Sequence, residues 1–218
     1  MKKTACIITG GCLTKSFLEQ RLKEKQDRLF IVVDGALETT HALGIVPDYI
    51  VGDFDTVNTE LLKYYEPGKI IRHLPEKDQT DTELAIETAL MAGCDTIEFY
   101  GAVGSRMDHS LANIFLLESL LQKGKEAVIY DEDNKLYLKR EGFHIKKEEQ
   151  YGAYVSLLPL TESVENVTLK GFKYSLEHQT FFRERTLGVS NEITEDEATV
   201  EFETGIFLVV ESRDKSVK

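Results

Sequence analysis

The stretch Thr80–His109, TDTELAIETALMAGCDTIEFYGAVGSRMDH, decides how this chain folds. Thr80, with Glu83 three residues on, reads as a capping box at a helix start. Apolar residues then recur at helical spacing as far as Gly93, where a C-terminal cap belongs. A short β-rich run, TIEFYG, follows, and the glycine-bearing loop GAVGSRMDH leads into a second helical pattern, DHSLANIFLLESLLQKG, ending at Gly124. Helix, apolar strand, loop, helix is the pattern of a parallel sheet flanked by helices.

The same alternation extends outward to about residue 130. The strand candidates are ACIIT, LFIVV, DYIVG, KIIRHL, TIEFYG and AVIYD; between them KSFLEQRLKEKQ, ALETTHALG and NTELLKYYE carry helical periodicity. After about residue 131 no long helical stripe remains, and short alternating segments take over: KLYLKR, AYVSLLPL, NVTLKGF, ATVEFET and IFLVVES. The last two, joined through Thr204 and Gly205, read as a hairpin. The expected architecture is an α/β N-terminal domain with a mostly parallel sheet, residues 1–131, followed by an all-β, sandwich-like C-terminal domain, residues 132–218. They join at the short polar stretch YDEDNK.

A chain of 218 residues is long enough to bury a real core. Its formal net charge of −12 argues against work on nucleic-acid phosphate or an anionic membrane surface. An anionic ligand stays open, because a divalent cation can sit between acidic side chains and phosphates. Cys6, Cys12 and Cys94 form no CxxC pair and are odd in number, which suggests neither a disulfide framework nor a zinc site and fits a reducing cytoplasm. Two lysines precede a short apolar run at the start, but IITGG breaks that run short of a signal-peptide core. No later run approaches the ~20 apolar residues of a membrane span.

In an open α/β sheet, ligands bind beyond the carboxyl ends of the strands, so the chemistry is sought in the loops that follow them. Asp34-Gly35-Ala36 follows the second strand, Gly52-Asp53-Phe54-Asp55-Thr56 the third, PEKDQTD with Asp78 and Asp81 the fourth, and GAVGSRMDH the fifth. Singly, each has an ordinary explanation: an Asp-Gly turn, an exposed acidic loop, a helix cap at Thr80, a solvated Arg106, a polar His109. Asp-Phe-Asp alone fits a phosphatase nucleophile pair, a metal clamp or an acidic turn equally well. Together, Asp34, Asp53, Asp55, Asp78 and Asp81 collect like charge at one sheet edge, which calls for a positive partner. Hard oxygen donors without a Cys or His cluster point to Mg²⁺ joined to substrate phosphates. In GAVGSRMDH, glycines such as Gly104 let backbone N–H groups approach phosphate, the following helix start favours anions, and Arg106 can clamp an oxyanion in two-point fashion. Neither a GxxxxGK[ST] nor a GxGxxG motif occurs.

The ordered run DGA, GDFDT, DQTD and GAVGSRMDH, followed by VSLLPL, VTLKGFKYSLE and GVSNE, resembles the thiamin pyrophosphokinases across nearly the whole chain. Thr56, Ser105 and Ser175 depart from the family pattern, standing where Ser, Gly and Pro are usual. The resemblance implies transfer of the pyrophosphoryl group of ATP to the hydroxyl of thiamin, with Mg²⁺ required, in a homodimer that holds thiamin where its subunits meet. Carried over by position, Asp53, Asp55 and Asp81 would hold Mg²⁺ and the phosphates with Asp78 beside them, all four in the catalytic set. Asp34, Gly35, Gly52, Thr80, Gly104, Arg106, Asp108 and His109 would belong to the ATP side. Ser190 and Asn191 would line the thiamin side, with GFKYSLE shaping that wall.

Two rivals remain on sequence grounds. DFDTV also resembles the nucleophile motif of haloacid-dehalogenase-type phosphatases, although it then sits on the third strand and leaves DQTD and GSRMDH idle. A non-catalytic nucleotide- or thiamin-binding module would keep the pocket and lose turnover.

Overall fold

Short β-rich runs alternating with helices build the first part of the chain: β1 (Thr4–Ile8), α1 (Lys15–Lys23), β2 (Arg28–Val33), α2 (Leu37–Ala42), β3 (Tyr49–Gly52), β4 (Ile70–Arg72), α3 (Asp81–Met91), β5 (Thr96–Tyr100), α4 (Met107–Gln122) and β6 (Glu126–Tyr130). The structure, a computed structural model, describes residues 2–23, 28–54, 59–72 and 79–214. The chain divides into two units, Met1–Glu132 and Asp133–Lys218.

In the first unit the strands lie in the order β4-β3-β2-β1-β5-β6. Every neighbouring pair in that row is parallel. A parallel sheet is covered on both faces, so its strands read as near-continuous apolar runs. Ala5, Cys6, Ile7 and Ile8 of β1 are accordingly buried. The chain adds β2, β3 and β4 outward on one side of β1; α3 then crosses back over β1, β2 and β3 and delivers β5 to the other side. The strand order therefore reverses between β1 and β5. The capping signal at Thr80 is real: its hydroxyl accepts the Glu83 N–H at 3.3 Å. Leu84, Ala85, Ile86 and Ala89 are buried on α3, and Leu117 and Leu120 on α4, each large side chain contributing about 1.5–3 kcal/mol by leaving water. The NTELLKYYE segment differs from expectation, forming a 3₁₀ helix over Thr59–Tyr64 with Leu62 its single buried residue. With so short an apolar face and Pro67 just beyond, it lacks the packing that sustains an α-helix.

The second unit is all β among the described residues apart from one 3₁₀ turn: β7 (Asn134–Lys139), β8 (Phe143–Lys146), β9 (Tyr154–Pro159), β10 (Ser163–Lys170), β11 (Leu176–Phe182), β12 (Glu197–Glu201) and β13 (Phe207–Ser212). β13 pairs antiparallel with β7 on one side and β9 on the other. A separate antiparallel sheet runs β11-β10-β12-β8. Phe181 of β11 meets Phe207 of β13 edge-to-face with centroids 5.4 Å apart, and Phe202 meets the same ring at 5.2 Å, so the two layers share one aromatic core.

The expected hairpin of ATVEFET and IFLVVES does not form. β12 has both edges taken by β10 and β8, and β13 by β9 and β7, so the segment through Gly205 carries the chain from one layer to the other. Two alternating runs joined by a glycine turn look alike in sequence whether they pair or part. β8 and β11 are not among the expected strands, since FHIK is too short to show a period and LEHQTFF is mostly polar.

Candidate functional site

The switch point between β1 and β5 is built from backbone. Beyond Ile8 the chain runs on beside the segment after β5: Thr9 N–H donates to Tyr100 O at 2.8 Å, Gly11 N–H to Gly101 O at 2.9 Å and Cys12 N–H to Val103 O at 3.0 Å. The Thr9 hydroxyl adds a bond of 2.5 Å to Gly101 O. A Cβ on Gly11 would lie 2.1 Å from Gly101 O, so no other residue fits there without moving the loop. This is where open α/β sheets take up ligands. Thr9-Gly10-Gly11 carries neither charge nor nucleophile and does not stand out in the sequence as a site. The only signal was a glycine pair directly after an apolar strand.

The neighbouring loops supply the carboxylates. Asp34, 7% exposed, opens a 3₁₀ turn that includes Gly35, at the end of β2. Gly52 ends β3, and a Cβ there would stand 2.7 Å from the Asp34 Cβ; the bare glycine makes the space that Asp34 fills. Asp53 follows, half-buried, and then Phe54, a buried residue with φ +62°. A non-glycine in the left-handed region costs about 1–3 kcal/mol and persists only where packing enforces it. Here the Arg72 guanidinium lies over the Phe54 ring, 5.0 Å from its centroid. Asp81 is the half-buried first residue of α3, where the helix dipole favours negative charge, while its cap Thr80 is exposed. Asp55 and Asp78 lie outside the described residues. Among the described residues no group of three or more His, Cys, Asp or Glu side chains is placed to hold a metal ion.

The GAVGSRMDH loop is fastened by the helix it leads into. Ser110, buried on α4, accepts the Gly104 N–H at 3.0 Å and donates to Arg106 O at 3.0 Å. Asn113, one turn on, donates to Ala102 O at 2.6 Å. Both follow the quoted motif at the spacing of one helix face and were missed for want of charge. Arg106 and Asp108 are exposed and paired with each other, Nε to Oδ1 at 3.2 Å and Nη2 to Oδ2 at 2.5 Å. The Arg106 hydrogen bond, followed by that of the His109 N–H, holds the Asp108 carboxyl down at about 2. His109 stands exposed in the first turn of α4.

The second unit carries a cavity of about 440 Å³, lined by Leu169, Tyr174, Ser175, Leu187, Val189 and Asn191 among others. Tyr174, Leu187 and Val189, all on its lining, are large and exposed. Ser190, exposed with φ +57°, donates its N–H to the Ser156 hydroxyl at 3.0 Å. Asn191 is buried, and its amide bonds the backbone of Tyr174. Leu169, Leu187 and Val189 were not singled out from sequence, because an apolar residue beside a pocket looks like one beside a core.

Comparison with known proteins is consistent along the whole chain. Residues 20–129 match the family model "Thiamin pyrophosphokinase, catalytic domain", and residues 142–207 match "Thiamin pyrophosphokinase, vitamin B1 binding domain". The thiamine pyrophosphokinase of Bacillus subtilis (strain 168) is 32% identical over 215 residues, covering 97% of this chain and 100% of that protein. The crystal structure of a thiamine pyrophosphokinase from Bacillus subtilis superposes with a TM-score of 0.84 at 30% identity, covering 98% of this chain and 100% of the other. That of a thiamin pyrophosphokinase from Geobacillus thermodenitrificans superposes with a TM-score of 0.83 at 29% identity, covering 99% and 100%. With two family models spanning both units and a full-length relative at this identity, the chain belongs to the thiamin pyrophosphokinase family.

Proposed function

We propose that this chain is a thiamin diphosphokinase that transfers the pyrophosphoryl group of ATP to the hydroxyl of thiamin, releasing AMP. The observation that carries this is the pairing, in one chain, of a catalytic-domain match over the acidic, glycine-bearing strand ends with a vitamin B1 binding-domain match over the unit holding the cavity. In this reading residues 1–131 bind ATP and perform the chemistry, and residues 132–218 bind thiamin and form the contact of a homodimer working in the cytoplasm. The phosphatase alternative gives way, since it does not account for a vitamin B1 binding-domain match beside the catalytic-domain match, and the non-catalytic alternative is met by the turnover experiment below.

The thiamin oxygen attacks the β-phosphorus of ATP in line. The new P–O bond forms as the bond to the α,β-bridging oxygen breaks, and AMP leaves with that electron pair. Positioning and electrostatic stabilisation do most of the work in such a transfer. The backbone of Gly101–Gly104, pinned by Ser110 and Asn113, would cradle phosphate, with Asp34, Gly35, Gly52, Thr80, Asp108 and His109 around the nucleotide. Arg106 would exchange Asp108 for a phosphate oxygen, a swap made easy by the exposure of both side chains. Asp81, or Asp78 near it in sequence, would accept the hydroxyl proton. The donor set, carboxylates without Cys or His, fits a hard divalent cation. Mg²⁺, held by Asp53, Asp55 and Asp81, would neutralise charge on the transferring oxygens when bound. Ser190 and Asn191 would stand on the thiamin side, beside Tyr174.

The deciding experiment incubates the protein with ATP, Mg²⁺ and thiamin and follows both products. AMP and thiamin diphosphate appearing in equal amounts is the expected result. ADP with thiamin monophosphate would overturn it, as would trapping of a phosphoryl group on Asp53.

A further inference from the structure

Asn191 sits on the cavity wall, but its polar atoms are already committed. Its Oδ1 accepts the Tyr174 N–H at 3.1 Å and the Glu192 N–H at 3.0 Å, while its Nδ2 donates to Tyr174 O at 2.9 Å. An amide offers two donor hydrogens and two acceptor sites, so three of the four are filled within the protein. The orientation is fixed by its partners, since a flipped amide would face two N–H donors with its own NH₂ and a carbonyl with its oxygen. At 6% exposure, Asn191 cannot turn to a ligand without giving up its bonds to the Tyr174 and Glu192 backbone.

The backbone of Asn191 is equally anchored, exchanging hydrogen bonds of 2.8 and 3.0 Å with Val155 of β9. One residue on, Lys173 N–H donates to Glu192 O at 2.8 Å and the Lys173 ammonium meets the Glu192 carboxylate at 2.5 Å. Phe172 and Ile193 form an isolated antiparallel bridge. A short ladder thus ties the segment around Tyr174 to the segment around Asn191, which is itself tied to β9. Tyr174 ends this chain of supports, lining the cavity and 62% exposed, with the Lys173 ammonium 5.6 Å from the centroid of its ring.

We infer that Asn191 is a positioning residue: its amide clamps the Tyr174 backbone at both N–H and C=O and so fixes where Tyr174 stands on the cavity wall, leaving substrate contact to Tyr174. This rests on the cavity being the thiamin site, and it changes what Asn191 does there. The clamp is backbone-directed, so it sets the point from which the Tyr174 side chain leaves the wall and not the torsions of its ring.

The test is a double-mutant cycle on the full chain with ATP, Mg²⁺ and thiamin, using Asn191→Ala, Tyr174→Ala and the pair. Each single change is expected to raise the KM for thiamin about tenfold with the KM for ATP unchanged and kcat within about twofold. Because the two residues act as one unit, the pair should cost about the same tenfold. A pair near a hundredfold would mean two independent contacts and overturn the inference. Asn191→Asp keeps the shape and the acceptor facing two N–H groups but loses the donor to Tyr174 O, so it replaces Asn191→Ala in the cycle should that variant not fold. A thiamin KM unchanged in Asn191→Asp would also overturn it. If the wild-type chain forms no thiamin diphosphate, the function proposed above fails, and the same cycle is then read as thiamin Kd by calorimetry. No thiamin binding by the wild type would sink this inference with it.

Discussion

The two units prepare their candidate sites by opposite means. In Met1–Glu132 the strand-end loops meet in contacts that depend on atoms left out: Gly11 against the Gly101 backbone, and Gly52 beneath the Asp34 side chain. In Asp133–Lys218 the cavity wall is held by atoms put in, three hydrogen bonds from one buried amide. The difference teaches where tolerance lies. A steric contact at 2 to 3 Å has a threshold, so a single methyl group breaks it, whereas a hydrogen-bonded clamp loosens by degrees as its bonds are removed.

The largest effect is expected where the first unit carries charge. Asp81→Asn should lower AMP formation about a hundredfold or more, while the lost helix-dipole interaction costs only about 0.3–1 kcal/mol of stability. Steady-state rates beside thermal melting check this, and near-normal turnover would remove Asp81 from the chemistry. The threshold itself is tested by Gly11→Ala, whose Cβ would meet Gly101 O at 2.1 Å. It should destabilise the chain by about 1–3 kcal/mol in urea unfolding and impair ATP use. A wild-type unfolding curve would break the comparison. Ser110→Ala sharpens it, because here the first unit does use a side chain: losing the bonds to Gly104 N and Arg106 O should cost about 1 kcal/mol and raise the KM for ATP several-fold, with thiamin KM unmoved. A parallel rise in both KM values would mean the loop serves more than the nucleotide.

The smallest effect is a titration. The Asp108 carboxyl, depressed by Arg106, should protonate with a midpoint of about 2 by NMR against an ordinary 3.8. A depressed folded value stabilises above the unfolded one, so this contribution is complete above about pH 4 and disappears as pH falls toward 2. Arg106→Gln should return the midpoint toward 3.8, and an unchanged midpoint would place the cause elsewhere.

Much of the first unit was legible because its signals are local. The Thr80 cap, the apolar faces of α3 and α4 and the near-continuous apolar strands each follow from a few adjacent residues. The positions of Asp34 after β2 and Asp53 after β3 were legible for a related reason, since the loop after a parallel strand has only one edge to occupy. Partnership between distant segments was not legible. β12 and β13 read as a hairpin because alternation tells which face a residue takes and nothing of which strand lies alongside. Thr9-Gly10-Gly11, Ser110 and Asn113 act through bonds to a loop that the topology brings beside them. Asn191 is expected from the resemblance to line the thiamin side, and its bonds to the Tyr174 backbone are not legible, since an amide looks the same in sequence whether it faces a ligand or a backbone.

The path of the chain through the second unit also sets a schedule. β13 is the strand that joins β7 to β9, yet every other strand of the unit precedes it in the sequence. On the ribosome the elements of the first unit can emerge and pack in turn, while β7 and β9 wait for residues 207–212 before they are bridged. A chain halted at residue 201 would contain all of β8, β10, β11 and β12 but leave strand edges open in the other layer, the kind of surface on which chains pair with their neighbours.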